Sequence, residues 1–433
     1  MFAYYLDLAL RSLKHHKALT ALMVLALALG IGACITTLTV LRLLSGDPLP
    51  QQSAQLYYPQ LDPRPLAGYV AGETKPADTL SYVDAMNLLH AHKAEREVVT
   101  ALARAKISPS HAGQRPFFSD GVMTTADFFP MFDVPFQYGS GWSAADADDH
   151  ARVAVIAGFL NDKLFAGGNS VGQVIRVNEH DYRIIGVLKP WAPQPRFYAH
   201  MLGGRDYGDG DAVFLPLQSA RADGMDPGSI NCYAMGDVSK LETAPCMWLG
   251  MWVELRDASA AAAYKSFLAN YVQQQIGLGR LQRPEVALPA LLPWLRAMQI
   301  VPDDVRLQAG LALGFLLICV VNTVGLLLAK CLRRSREIGV RRALGASRRA
   351  IFAQFMVEAG MIGLAGGVLG LLLAELGLWA IRQQPAQYAS LAHLDAQMFL
   401  ATFVVALVAS LVAGMLPAWR ACVVAPAPQL KAA

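Results

Sequence analysis

The chain has 433 residues, of which 54% are hydrophobic and 16% charged, with a formal net charge of +4. An average soluble domain carries about a quarter charged residues, so the composition excludes a wholly soluble chain and points to membrane segments. No nucleic-acid partner is expected.

Residues 1–17 place Phe2, Tyr5, Leu6, Ala9 and Leu13 on one helical face, with Asp7, Arg11, Ser12 and Lys14 elsewhere. This spacing predicts a cytoplasmic amphipathic helix on the membrane surface, the alternative being an extension of the first span. An uncharged run, ALTALMVLALALGIGACITTLTVL, fills 18–41. It is longer than a signal-peptide core and RLLSGDP behind it is no small-residue cleavage site, so it reads as a retained span. Three further runs are long enough to cross a bilayer, at 306–329, 355–381 and 398–419. Between the first and second spans, residues 42–305 read as ordinary soluble protein.

Orientation follows from lysine and arginine. Arg11, Lys14 and Lys17 precede the first span, and eight basic residues from Lys330 to Arg349 separate the second and third. Arg420 and Lys431 follow the fourth, whereas the loop 382–397 holds only Arg382. The charges agree on one topology: both termini, including the tail 420–433, and the loop 330–354 are cytoplasmic, and 42–305 lies outside.

Within 42–305 the expected class is α+β. LSYVDAMNLLHAHKAEREVVTALARA (80–105) opens with a Ser81-x-x-Asp84 cap and is read as one helix. KISPSHAGQRPFFSDGVMT is read as two strands around an Ala-Gly turn. RVAVIA, QVIRVN, YRIIGVL and WVEL are strands by their β-branched or aromatic content. The stretch from Asp257 is a helix stopping at Gly277 or Gly279. A proline-rich segment, PALLPWLRAMQIVPDD, is read as a stalk returning to the membrane. Of six cysteines, only Cys232 and Cys246 fall outside, where disulfides persist. They are a candidate disulfide, the alternative being two buried thiols.

Catalytic and metal signals are absent. A P-loop needs Gly-Lys-Ser/Thr to hold phosphates, and none of the eleven lysines follows a glycine. His90 and His92, two apart on a helix, would face different ways, so no metal site is expected. No HExxH or Cys-x-x-Cys occurs, and nothing in 42–305 reads as a pocket. The third span carries two interleaved Gly-x-x-x-Gly pairs, Gly363/Gly367 and Gly366/Gly370, which allow close helix approach. Their partner is either the chain's own helices or those of a second membrane chain. Glu358 is read as structural, close to Arg348 and Arg349. Glu375 is read as reaching exterior headgroups, with a proton relay as the lesser alternative.

The loop 330–354 is more than a charge run. Glu337 and Arg341 are spaced i,i+4 with the acid first; Val340, Ala343 and Leu344 form an apolar stripe. Gly345 fits a helix stop and Ser347 the next cap. The pattern predicts a short helix stiffly joined to the third span, suited to docking.

REIGVRRALGASRRAIFAQFMVEA closely resembles the signature of the FtsX/MacB family of ABC transporter permeases. LPAWRACVVAPAPQLK is similar to that family's C-terminal ending. TTADFFPMFDVPFQYGSGW, VAVIAGFLNDKLFAGGNSVGQVIRVNEHDYRIIGVL and VFLPLQSA resemble its MacB-type periplasmic domain. The resemblance implies a bacterial inner-membrane protein with four transmembrane helices and a large α+β periplasmic domain between helices one and two. It implies that two permeases pair, as homodimer or heterodimer, over a cytoplasmic ATPase dimer that binds ATP and Mg. Closure of the ATPases would then move the periplasmic domains, a mechanotransmission that serves efflux. By position in the motif, the ATPase-coupling role falls on Arg336, Glu337, Gly339, Arg341, Arg342, Leu344, Gly345 and Ala346. MacB carries a fused ATPase ahead of its first span, so a separate ATPase polypeptide is expected here. The leading reading is export of a peptide, metabolite or antibiotic with a periplasmic adaptor and outer-membrane duct. Lipoprotein extraction of the LolC/LolE kind, an FtsX-like regulator and a secreted or membrane enzyme are the alternatives. The insert YAHMLGGRDYGDGD (198–211) has no assignable family meaning.

Overall fold

A computed structural model describes residues 17–109, 115–301, 303–385 and 387–423. The expected amphipathic helix, the Ala-Gly turn near 112 and the tail beyond 423 lie outside the described residues. The chain divides into two compact units: Gly46–Ile300, and a unit built from the segments on either side of it.

The membrane unit contains, among the described residues, four helices long and apolar enough to cross a membrane: Lys17–Ser45, Asp303–Arg333, Arg348–Arg382 and Ala396–Val423. Each overruns the apolar run that marks it, because helical hydrogen bonding continues into the polar flanks. The third span is the seam. A Cβ at Gly366 or Gly370 would sit 3.2 Å from Leu27 Cβ or 3.0 Å from Ile31 Cγ2, on the first span. A Cβ at Gly363 would overlap the Ser410 hydroxyl, and one at Gly367 would sit 2.9 Å from Ala406 Cβ, on the fourth. Each Gly-x-x-x-Gly pair thus serves a different helix of the same chain, as close packing in lipid requires small residues.

In the other unit, the strands in chain order are β1 (Leu56–Tyr57), β2 (Gln60–Leu61), β3 (Leu80–Ser81), β4 (Arg96–Ser108), β5 (Phe117–Thr124), β6 (Phe136–Gly139), β7 (Val153–Ile156), β8 (Val174–Val177), β9 (His180–Leu188), β10 (Val213–Pro216), β11 (Asn231–Cys232), β12 (Cys246–Glu254) and β13 (Val286–Ala287). The main path of the principal sheet runs β1-β12-β4-β5-β10-β7-β9-β6, with β3 and β11 paired to β12 and β8 bridging β4 and β9. Pairing is antiparallel except for β10 with β5 and β7 with β9. β8 and β9 form a hairpin whose turn residues, Asn178 and Glu179, have φ of 46° and 72°. Positive φ at both is the type I′ requirement, and asparagine tolerates it. The fold is therefore α+β between two membrane spans, as expected.

Three readings need correction. The stretch 80–105 is not one helix. The helix Tyr82–Leu89 starts on the Ser81 cap, ends at His90, and the chain reverses through His92 at φ 49° into β4. Val98, Val99 and Thr100 are buried between β12 and β5, where β-branched residues pack well, and the sheet overrides the alanine content. The stalk reading also fails: Leu291–Ala297 is a helix whose buried Trp294 meets Trp252 and Tyr58 at ring distances of 5.2 and 4.7 Å. The WVEL strand extends back to Cys246, all nine residues buried.

The insert 198–211 has a structural use. Arg196, fully buried, donates from Nη2 to Asp211 Oδ1 at 2.6 Å, and the Tyr198 hydroxyl donates to Asp211 Oδ2 at 2.8 Å. Trp191 stacks on Tyr198 with centroids 5.4 Å apart. A charge buried this deeply persists because it is paired and hydrogen-bonded. Cys232 and Cys246 face each other across β11 and β12 and are joined as a disulfide, closing a sequence separation of 14.

Candidate functional site

The site is the connection between the second and third spans. The second span ends at Arg333, and Ser335–Ala343 forms a separate helix. Gly345, at φ +99°, makes the reversal that a side chain would disfavour. Ser347 then caps the third span, its Oγ accepting from Ala350 N at 3.2 Å. The connection is three residues, Leu344–Ala346, plus the cap, which leaves little slack between the two helices.

An ionic chain runs through this turn. Lys330 and Glu358 are each 1% exposed and ion-paired, joining the ends of the second and third spans. Arg334 Nη1 lies 3.6 Å from Glu358 Oε2 and its Nε is 3.1 Å from Glu337 Oε2. Glu337 Oε1 in turn holds Arg341 Nη2 at 2.7 Å, the i,i+4 pair expected on the short helix. Arg341 Nη1 also donates to Gln354 Oε1 at 3.1 Å, and Arg342 Nη1 to the Cys422 carbonyl of the fourth span at 3.2 Å. Beneath the chain Ile338, Ile351, Phe355, Ala418 and Ala421 form a small apolar core. Isolated charge in a membrane is expensive, so buried charges pair or face polar neighbours; here they tie three helices together at one end.

The opposite face of the short helix is open. Leu344 is 83% and Val340 48% exposed, and Ala343 is exposed beside them. Gly339 is on the buried face of the helix, while Gly345 is exposed and Ala346 half-buried at the turn. Arg336 is on the helix; its side chain lies outside the described residues.

Two single residues gain partners here. Glu358 is structural, as read, and pairs with Lys330 and Arg334. Helical phase decides this, since Glu358 faces inward at the level of Lys330. The role of Lys330 is the residue that sequence reasoning missed. Its only sequence signal is a lysine closing an otherwise uncharged span, with a carboxylate 28 positions later. Glu375 is half-exposed and pairs with Arg382 at 2.7 Å, on the same helix. His90 and His92 are not two positions of one helix, since His90 ends it and His92 follows in a turn. Among the described residues no group of three or more His, Cys, Asp or Glu is placed to hold a metal.

Residues 20–270 match the family model of the MacB-like periplasmic core domain, and residues 309–426 match that of the FtsX-like permease C-terminal region. The chain belongs to this family of MacB-like, FtsX-type ABC transporter permeases. It is 25% identical over 416 residues to the macrolide export ATP-binding/permease protein MacB of Azoarcus sp. (strain BH72), covering 95% of this chain and 57% of that protein. It is 24% identical over 412 residues to the pyoverdine export ATP-binding/permease protein PvdT of Pseudomonas fluorescens, covering 93% and 55% respectively. The chain thus spans about half the length of the curated relatives it matches. Among solved structures, the periplasmic region of MacB from Actinobacillus actinomycetemcomitans aligns with a TM-score of 0.38 at 11% identity, over 60% of this chain and 98% of that one.

Proposed function

We propose that this chain is the permease component of a MacB-type transporter, coupling ATP hydrolysis by cytoplasmic ATPase subunits to movement of its α+β domain. Two permease chains act over an ATPase dimer that binds ATP and Mg. Both termini and the turn 334–347 lie on the cytoplasmic side of a bacterial inner membrane, and the α+β domain lies in the periplasm. The positive-inside distribution of lysine and arginine supports this orientation. The relatives' names, macrolide export and pyoverdine export, support an exported metabolite, peptide or antibiotic as the cargo class, with an adaptor and outer-membrane duct as the wider assembly.

One observation carries the reading. The short helix Ser335–Ala343 is ionically anchored on one side and exposes Val340 and Leu344 on the other. An anchored helix with a free apolar edge suits docking into a groove of a partner. The 433 residues contain no P-loop motif, so the nucleotide is held by ATPase sequence outside them.

The test is Leu344→Asp, alone and combined with Val340→Asp, in the chain purified from its native membrane. Wild type is expected to retain an ABC ATPase and raise its hydrolysis rate. The variants should lose both while keeping membrane insertion and thermal stability. Retention of the ATPase at wild-type level by the double variant would refute docking through this face.

A further inference from the structure

The α+β unit begins at Gly46, directly after the helix of the first span, and ends at Ile300, three residues before the helix of the second. The segments near its two ends are paired with each other. β2 and β13 run antiparallel, with Leu61 opposite Val286 and Gln60 opposite Ala287. The ladder continues outward: Tyr58 N donates to the Pro289 carbonyl at 2.9 Å, and Tyr57 bridges to Ala290. The outgoing and returning segments therefore lie side by side. Strands of two residues are marginal on their own, so this ladder alone would not resist shear.

Three rings reinforce it. Tyr58 lies 4.7 Å from Trp294 and 4.8 Å from Trp252, and Trp252 lies 5.2 Å from Trp294, centroid to centroid. Tyr58 belongs to the outgoing segment and Trp294 to the returning helix Leu291–Ala297. Trp252 belongs to β12, which lies between β1 and β4 in the principal sheet. All three rings are buried, and the Tyr58 hydroxyl is fixed by donating to the Asp78 carbonyl at 2.6 Å. Aromatic pairs at such distances are attractive beyond the area they bury. From Trp252 the contacts continue without a break through Phe197 at 5.1 Å, Phe132 at 5.0 Å and Phe128 at 4.9 Å. Trp294 Nε1 is buried with no hydrogen-bond partner. That burden is one a phenyl ring would not carry, so the ring contacts, not the N–H, are what position 294 uses.

We propose that Trp294 is a positioning residue that locks the outgoing and returning segments to β12, so that the two move only as one body. The ladder joins the segments to each other; the ring triangle adds a contact off the ladder's line and ties both to the sheet. A displacement entering through either segment then turns the whole unit instead of bending it near its ends. The proposal rests on the coupling role above only for what drives that displacement.

The experiment uses the full chain in nanodiscs with spin labels at Gln51→Cys and Ala297→Cys, both exposed positions on the two segments. The native cysteines are either disulfide-bonded or, among the described residues, buried. Double electron–electron resonance reads the distance between the labels, and hydrogen exchange reads the peptide carrying Tyr58. Wild type is expected to show one narrow distance distribution, unchanged when a retained ATPase is trapped with ATP and vanadate. Trp294→Leu should broaden the distribution and speed exchange at Tyr58 about tenfold, with β4 and β5 amides still protected. Trp294→Phe, which keeps a ring and has no donor to orphan, should restore the narrow distribution. A wild-type distance that shifts on trapping would overturn the proposal. So would a Trp294→Leu chain with unaltered distribution and exchange, or one that also opens β4 and β5, which would make the ring a support of the whole fold. If no ATPase is retained, the coupling role fails, while the three proteins compared without nucleotide still decide this proposal.

Discussion

Removing one member of the buried pair Lys330–Glu358 should be among the most damaging single changes in the membrane unit. Each residue is 1% exposed, so deleting either leaves the other charge with little access to water. Breaking a buried pair this way costs about 3–5 kcal/mol. The two sides are not equivalent. In Lys330→Met, Glu358 still has Arg334 at 3.6 Å, so the loss should fall near about 3 kcal/mol. In Glu358→Leu, Lys330 and Arg334 are left facing one another with no carboxylate between them, and the loss should reach about 5 kcal/mol. The double variant Lys330→Met/Glu358→Leu removes both charges, and Arg334 keeps Glu337 at 3.1 Å. Hydrophobic replacement of a buried pair is often neutral, so the double variant should recover most of the loss. Its interaction energy should be at least about 2 kcal/mol. The assay is unfolding in mixed micelles of increasing SDS content, followed by tryptophan fluorescence, with all four proteins in one double-mutant cycle. Single variants within about 1 kcal/mol of wild type, or losses that simply add, would refute the reasoning.

Other expectations come from separate parts of the molecule. Gly363→Ala should lower the stability of the membrane unit by about 1–3 kcal/mol through overpacking against Ser410. Gly360→Ala, three residues away with open space around its Cβ, should stay within about 1 kcal/mol of wild type in the same SDS titration. Replacing Cys232 and Cys246 by serine and alanine opens a loop of separation 14 and should destabilise the α+β unit by about 3 kcal/mol, read from guanidinium unfolding with and without reductant. Glu97 binds its proton more tightly folded, at about 7, than unfolded, at 4.5. The folded state therefore holds the extra proton between these values, and stability of the α+β unit should decline as pH rises through that window. Glu97→Gln should flatten this part of the profile, and a Tm profile unchanged by the substitution would count against the raised carboxyl.

How much of this could be read from residues alone depends on how local the cause is. The spans were legible because lipid forces each crossing segment to satisfy its own backbone and to stay apolar, a constraint written along one stretch of chain. Caps were legible for the same reason: Ser81, Gly345 and Ser347 act within four residues. The strand β4 was not legible. Its alanines at 101, 103 and 105 favour a helix, and only the flanking strands β12 and β5, far away in sequence, make it a strand. The Glu358 partner was not legible either, because Lys330 lies 28 positions away on another helix. The ring triangle draws on Tyr58, Trp252 and Trp294, which no local pattern connects.

The two kinds of contact in the membrane unit also differ mechanically. The glycine seam lets the first and fourth spans approach the third closely between Gly363 and Gly370, where Leu27, Ile31, Ala406 and Ser410 seat against bare backbone. Dispersion packing at that range resists any small displacement. The second span meets the first at Gly30, where an added Cβ would sit 3.0 Å from Cys319 Cβ, and joins the third through the Lys330–Glu358 pair at the end nearest the short helix. On the proposed reading, a push on the helix Ser335–Ala343 reaches Glu358 through Glu337 and Arg334 before it reaches the glycine seam. The ionic chain would then pass motion to the second and third spans together. A chain with Glu358 replaced but rescued in stability by Lys330→Met separates these roles. If it binds an ATPase normally yet fails to raise its hydrolysis rate, the pair transmits motion; if hydrolysis is raised as in wild type, the pair serves folding alone.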